Sequence, residues 1–338
     1  KSPTTHSRGP LAVIKTERKT MKRTILILLI GFNFNCFGQK HYEKAYSQLS
    51  LMLNGEIDLD FKKALFIVEN AWYDNKLNYA DFEKEISKMA TICEKMVERK
   101  KLTEYKTANN WAIFMYLTQK LPENDSIPYT YDFEDFLGNK NFNSTFVTRL
   151  IKDKKGNCLS LPLLYKCIAQ DLNAEAKLTL GPSHAWIRHT SEDGKFTNVE
   201  LTSGQFPTDG ILITELDIKR EAIQTGAYFK PLNDIETVAF LLTQLALSYE
   251  NKFGKLDEFT EKCTDLSIKY FEPNVIAYSI KMNKVAEQAT EKQQNNEDVA
   301  SLHLTYLAYQ ETLNKLGAEN IKPEDYNKWV SSMKTRKN

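Results

Sequence analysis

The chain has 338 residues, enough to bury more than one core, and its 45 basic and 44 acidic residues leave a formal net charge of +1. Charges of both signs are interspersed along it, which argues against a nucleic-acid partner. Its 5 cysteines are too few for a disulfide framework and none has zinc-finger spacing to a histidine, so no metal or cofactor is expected.

Residues 1–20 contain no methionine and no periodicity, and read as an upstream non-structural segment. Met21-Lys22-Arg23, the apolar run 25–32 and Cys36-Phe37-Gly38 have the outline of a secretory signal, with a basic start, a short apolar middle and a small residue at the cut. Segment 21–38 is therefore expected to be removed and the protein exported, to a periplasm or the medium. The run is shorter than the roughly 20 residues of a membrane span, so no span is expected after cleavage. Asn33 and Asn35 ahead of Cys36 disfavour lipid attachment there.

Residues 40–142 read as a helical N-terminal region. Phe61, Ala64, Leu65, Val68 and Ala71 form one apolar stripe, and Ile86, Met89, Ala90, Cys93 and Met96 another, at three- and four-residue steps. A third helix over 107–117 carries Trp111, Phe114 and Met115 on one face and should end near polar Thr118. Segment 122–128 is a loop by composition, and 129–143 an ordered loop. A short helix over 144–152 would take Ser144 as its cap.

The chemistry concentrates in a core expected over 143–230. The apolar run 159–168 reads as a buried helix with Cys158 in its first turn, where amides and the helix dipole favour a thiolate. Runs at 178–180, 185–187 and 196–199 are β-prone and separated by turn residues, the pattern of a small antiparallel sheet. One strand can present His184 to the helix end, and the next can bring Glu200 behind it, the base and orienter of a nucleophilic triad. The Cys158 amide is the natural first oxyanion donor, with Asn157 and Asn143 as candidates for the second. Trp186 shares a strand face with His184, whereas His189 lies on the opposite face and is expected to be exposed. Cys93 and Cys263 read as core thiols, and Cys167 is too far along the helix to pair with Cys158. A further helix is expected over 214–222.

From 233 to 335 only helices are expected: 234–250, 255–270, 273–287, 296–316 and 323–333, with polar 288–298 as a helix end and solvated connection. Leu245, Ala246, Tyr249, Gly254, Phe259, Cys263, Leu266 and Pro273 have the rhythm of a tetratricopeptide unit, although an extra residue near Phe253 and bulky Phe259 depart from it. A generic helical hairpin fits as well. The fold class is thus α+β: helical lead-in, small antiparallel sheet on the nucleophile helix, helical tail.

Gly156-Asn157-Cys158, His184-Ala185-Trp186 and Asn198-Val199-Glu200 together resemble the transglutaminase-like superfamily, whose core is shared with papain-type cysteine enzymes. The likeness is greatest to the bacterial branch that carries a tetratricopeptide-type tail, and extends over residues 60–335, with the specific motifs between 156 and 204. It implies Cys158 as nucleophile, His184 as general base and Glu200 as the group orienting His184. That superfamily usually has aspartate there, and Asn198 is the alternative orienter. The implied function is an exported thiol enzyme acting on a protein or peptide by amide hydrolysis or acyl transfer. The rival is a non-catalytic module in which the tail binds a protein or peptide and the triad is vestigial; a structural envelope protein is a third reading. Cys158 at the floor of a cleft favours the enzyme, and Cys158 sealed under apolar side chains the scaffold.

Overall fold

A computed structural model describes residues 31–318. The expected upstream segment 1–20, most of the leader 21–38 and the helix expected at 323–333 lie outside them.

Four helices open the described chain: α1 (Gly31–Leu53), α2 (Phe61–Trp72), α3 (Tyr79–Arg99) and α4 (Ala108–Thr118). Asp60 caps α2 by accepting from the Lys63 amide at 3.1 Å, and Asn78 caps α3 by accepting from Ala80 at 2.9 Å. The apolar stripes of α2 and α3 read from the sequence are buried; on α4 Phe114 is buried while Trp111 and Met115 are half-buried, and the helix ends at Thr118. A meandering stretch follows, with strand β1 (Thr130–Tyr131) pairing parallel to β2 (Lys155–Gly156).

Helix α5 (Val147–Asp153) starts later than its sequence suggested, and Ser144 does not cap it. Ser144 lies in a preceding 3-10 turn and donates to the Asp135 carbonyl at 3.0 Å. The cap comes from elsewhere in the chain. The Glu69 carboxylate on α2 accepts from the amides of Val147 at 2.7 Å and Thr148 at 2.8 Å.

Helix α6 (Ser160–Asp171) packs on an antiparallel sheet of β3 (Lys177–Gly181), β4 (His184–Thr190) and β5 (Phe196–Val199), ordered β3-β4-β5. Ala185 and Ile187 join the main core with the α6 residues, while Trp186, on the other face, packs with Leu212, Leu216, Ile218, Ala222 and Phe229. Both faces of β4 are therefore covered. This corrects the expectation for His189: it is on the face opposite His184, but only 5% exposed.

The helix expected over 214–222 is two, α7 (Asp209–Glu215) and α8 (Arg220–Thr225). Between them Asp217 takes a left-handed φ of 47°, which turns Leu216 and Ile218 into the Trp186 cluster. The tail comprises α9 (Asp234–Phe253), α10 (Glu258–Tyr270), α11 (Val275–Gln294) and α12 (Ala300–Lys315). Helix α11 runs on to Gln294, so much of the polar stretch expected as a connection is helical. Helix α9 packs on α1 and α2 as well as on α10, so lead-in, core and tail share one continuous apolar cluster from Tyr42 to Ile280. The molecule is helix-rich α+β. No described helix is long and apolar enough to cross a membrane.

Candidate active site

The regular part of α6 begins at Ser160, but its hydrogen bonds begin earlier. Leu161 donates to the Asn157 carbonyl at 3.2 Å, which makes Asn157 the residue that opens the helix. The Asn157 Oδ1 accepts from the amides of Leu159 at 3.0 Å and Ser160 at 2.9 Å, and Ser160 Oγ accepts from the Asn157 amide at 2.9 Å. This is a reciprocal capping box written in Asn157-Cys158-Leu159-Ser160, and it puts Cys158 at the first helical position. Gly156 is required beneath it, because a Cβ there would lie 2.5 Å from Ser160 Oγ and 2.9 Å from Leu150 Cδ1.

Asn157 and Asn143, the two candidates for the second oxyanion donor, are both engaged in other bonds and neither lines the cavity at Cys158. The Asn157 oxygen is taken by the cap, and its Nδ2 donates to the Phe136 carbonyl at 3.0 Å. The Asn143 Oδ1 accepts from Arg149 Nη1 at 2.6 Å, beside α5. Both asparagines hold structure, one of them directly under the cysteine.

His184 is delivered by the β3–β4 hairpin, in which Gly181 pairs with His184 across the two-residue turn Pro182-Ser183. Pro182 followed by Ser183 at φ 52° suits a type II turn. The turn also places the Ser183 carbonyl 3.7 Å from Cys158 Sγ, which donates to it. Trp186, two residues on, stacks near the imidazole at a centroid distance of 6.1 Å and an interplanar angle of 20°. The Trp186 indole donates to Asn198 Oδ1 at 3.0 Å, and Asn198 Nδ2 donates to Asp209 Oδ1 at 2.7 Å. Asn198, the alternative orienter, thus faces the tryptophan and not the histidine.

Glu200 takes the orienting position. It follows β5 in a two-way backbone bridge with Gln205, and its Oε2 accepts from His184 Nε2 at 2.5 Å. Its other oxygen accepts from the Thr202 amide at 2.8 Å and the Thr202 hydroxyl at 2.6 Å, which fixes the carboxylate. With Nε2 committed to Glu200, Nδ1 is the ring nitrogen left for Cys158, and the thiol and imidazole interact. The structure therefore brings Cys158, His184 and Glu200 into one chain of contacts.

Burial alone would drive both ionised forms out. It pushes the His184 imidazolium toward losing its proton, but the Glu200 carboxylate and the hydrogen bond with Cys158 outweigh it and hold the imidazole well above its usual range. Burial likewise pushes Glu200 up, and His184 with the two Thr202 hydrogen bonds brings it below the usual carboxylate value. Each partner thus favours the charged form of the other.

Cys158 is 9% exposed and opens into a cavity of about 340 Å³. The other described cysteines are core thiols. Burial pushes Cys93 up to about 12 and Cys167 and Cys263 well above the ordinary value. One cavity wall is Leu180, Pro182, Ser183 and His184; the opposite wall comes from the tail, with Phe240 and Gln244 of α9, Val275 and Ile276 of α11, and Leu313 of α12. Sequence reasoning missed these tail residues, since nothing local relates them to a cysteine far upstream. Thr202 was legible in principle, as a hydroxyl two residues after the carboxylate it bonds. Among the described residues no cluster of histidine, cysteine and carboxylate side chains could hold a metal ion. Comparison with protein-family models, with curated proteins and with solved structures gives no match.

Proposed function

We propose that this chain is an exported, transglutaminase-like thiol enzyme that cleaves or transfers amide-linked acyl groups through Cys158, His184 and Glu200. The observation that carries the reading is the chain of contacts itself: a cysteine at the first position of a capped helix, a histidine interacting with it, and a doubly anchored carboxylate on the far ring nitrogen. Export rests on the basic, apolar and small pattern of residues 21–38.

In this mechanism the Cys158 thiolate, opposite the His184 imidazolium, attacks the carbonyl carbon of an amide. The C–N bond breaks as the proton on His184 Nδ1 passes to the departing amine, leaving a thioester on Sγ. Water then adds its oxygen to the acyl carbon and its proton to His184, Sγ leaves as thiolate, and a carboxylic acid is released. An amine in place of water gives the transferred amide. Glu200 keeps the ring oriented and its positive form stabilised throughout, and the Cys158 amide at the helix start is the candidate oxyanion donor. The presence of Cys158 and His184 together in the lining of one cavity favours this reading over a binding module with a vestigial triad.

The test is the pH dependence of Cys158 alkylation by iodoacetamide, with Cys93, Cys167 and Cys263 as internal controls in the peptide map. Rapid reaction well below pH 8 that is lost in His184→Ala is the expected result. A Cys158 that titrates as an ordinary thiol, indifferent to His184, would sink the proposal.

A further inference from the structure

Among the described residues, the cavity at Cys158 is lined by no aspartate, glutamate, lysine or arginine. In a chain that is 26% charged, a described lining whose ionisable side chains, apart from the Tyr228 phenol, are only the reacting pair Cys158 and His184 is a chemical statement about what enters. From that lining we infer that the cavity is the acyl-binding pocket and that it selects an uncharged, apolar acyl group; this deepens the thiol-enzyme reading and rests on it.

Several features carry the inference. Leu180, Phe240 and Leu313 are buried at 8%, 1% and 6% exposure and yet face the cavity, with Ala185, Ala227, Val275 and Ile276 between them. A charged group brought among these apolar side chains would lose its hydration with no described aspartate, glutamate, lysine or arginine in the lining to offset the loss, whereas an aliphatic chain gains by leaving water. The volume of about 340 Å³ lies at the lower end of small-molecule sites, of roughly 300–1,000 Å³, and suits a medium-length acyl chain or one bulky side chain. Beside the reacting pair the polar lining is neutral: Ser183, Tyr228, Gln244, Ser279 and Asn274, the last already bonded to Ser267 and the Ala277 amide, enough to meet an amide without countering an ion.

The tail wall is held in place. Leu313 is the one buried residue of α12, and it points into this cavity. Just beyond, Gly317 at φ 71° lies so near α8 that a Cβ would fall 2.5 Å from the Ala222 amide nitrogen. Thr225 Oγ1 donates to the Leu316 carbonyl at 3.4 Å. The end of α12 is thus docked beside the cysteine. The specificity of the thiol site is set by tail residues, Phe240 onward, more than eighty positions later in the chain than Cys158.

The experiment compares p-nitrophenyl esters of acetate, hexanoate and 6-aminohexanoate, the last two alike in length and differing in a terminal charge. Single-turnover acylation is read as p-nitrophenolate release and as the adduct mass on the Cys158 peptide. Hexanoyl transfer should exceed acetyl transfer at least tenfold, and the 6-aminohexanoyl ester should be the slowest. Ile276→Asp should narrow or reverse the gap between the two long esters. If Cys158 alkylates with iodoacetamide in a His184-dependent way but accepts the charged and uncharged chains equally, the pocket inference is overturned and the thiol enzyme stands. A Cys158 inert toward both iodoacetamide and the esters overturns the two together.

Discussion

Glu69 and Glu200 are both buried glutamates, 3% and 5% exposed, and both accept backbone amide hydrogen bonds, but the molecule treats them in opposite ways. Glu69 sits between α2 and the start of α5 with amide donors and no cation, and burial pushes its carboxyl up to about 7 despite those donors. Glu200 meets the His184 imidazole, and that countercharge turns the same burial penalty into a carboxyl held below its ordinary value. Neutral donors can satisfy a buried carboxylate geometrically without keeping it ionised; a partner that shares the charge does both. The first arrangement serves to start a helix. The second sets a countercharge behind the imidazole that interacts with Cys158.

The widest separation between the two regions should appear in chemistry. Cys158→Ala and His184→Ala should each lower ester acylation by about 10⁴-fold or more, as for triad members acting as a unit, while Glu69→Ala leaves Cys158 alkylation at the rate of the unsubstituted protein. An equal loss in all three would show that the α2–α5 junction belongs to the site. Next in size is the stability cost of Glu200→Ala, about 3–5 kcal/mol in urea unfolding, because it strands a buried imidazole that had a countercharge. The same variant should shift His184-dependent alkylation to higher pH. Glu69→Ala should cost less, about 1–3 kcal/mol, for the amides of Val147 and Thr148 left without an acceptor.

The smallest and sharpest difference is in pH dependence. The folded Glu69 carboxyl is raised from 4.5 to about 7, so its contribution to stability is fully present below pH 4.5 and is lost as pH rises toward and through 7. Unfolding free energy of Glu69→Gln should therefore be flatter than that of the unsubstituted protein between pH 4.5 and 7. Glu200 runs the other way: lowered in the folded state, it contributes stability present above the ordinary carboxylate value and lost as pH falls through its folded one. Identical pH slopes for Glu69→Gln and the unsubstituted protein would break the contrast.

The two helix starts show why some of this was legible in the chain and some was not. The cap of α6 is written within four residues, Asn157 to Ser160, so the position of Cys158 at a helix start follows from local chemistry. The cap of α5 comes from Glu69, seventy-eight residues before Val147, and Ser144 was the wrong candidate because only tertiary packing puts α2 there. The same distinction explains His189. Strand alternation correctly separates it from His184, but alternation cannot say that helices cover both faces of β4.

By itself the sequence determined the helical stripes of α2 and α3, the three short strands, the capped turn carrying Cys158 and the chain order of cysteine, histidine and carboxylate, since each depends on neighbours within one or two turns or strands. Only the tertiary structure decided that Glu200 and not Asn198 meets the imidazole, that Asn157 and Asn143 are structural, and that α9, α11 and α12 close an uncharged wall opposite Cys158. Those outcomes depend on groups far apart in the chain competing for the same hydrogen bonds and the same volume, and such competition is settled only when the core is packed.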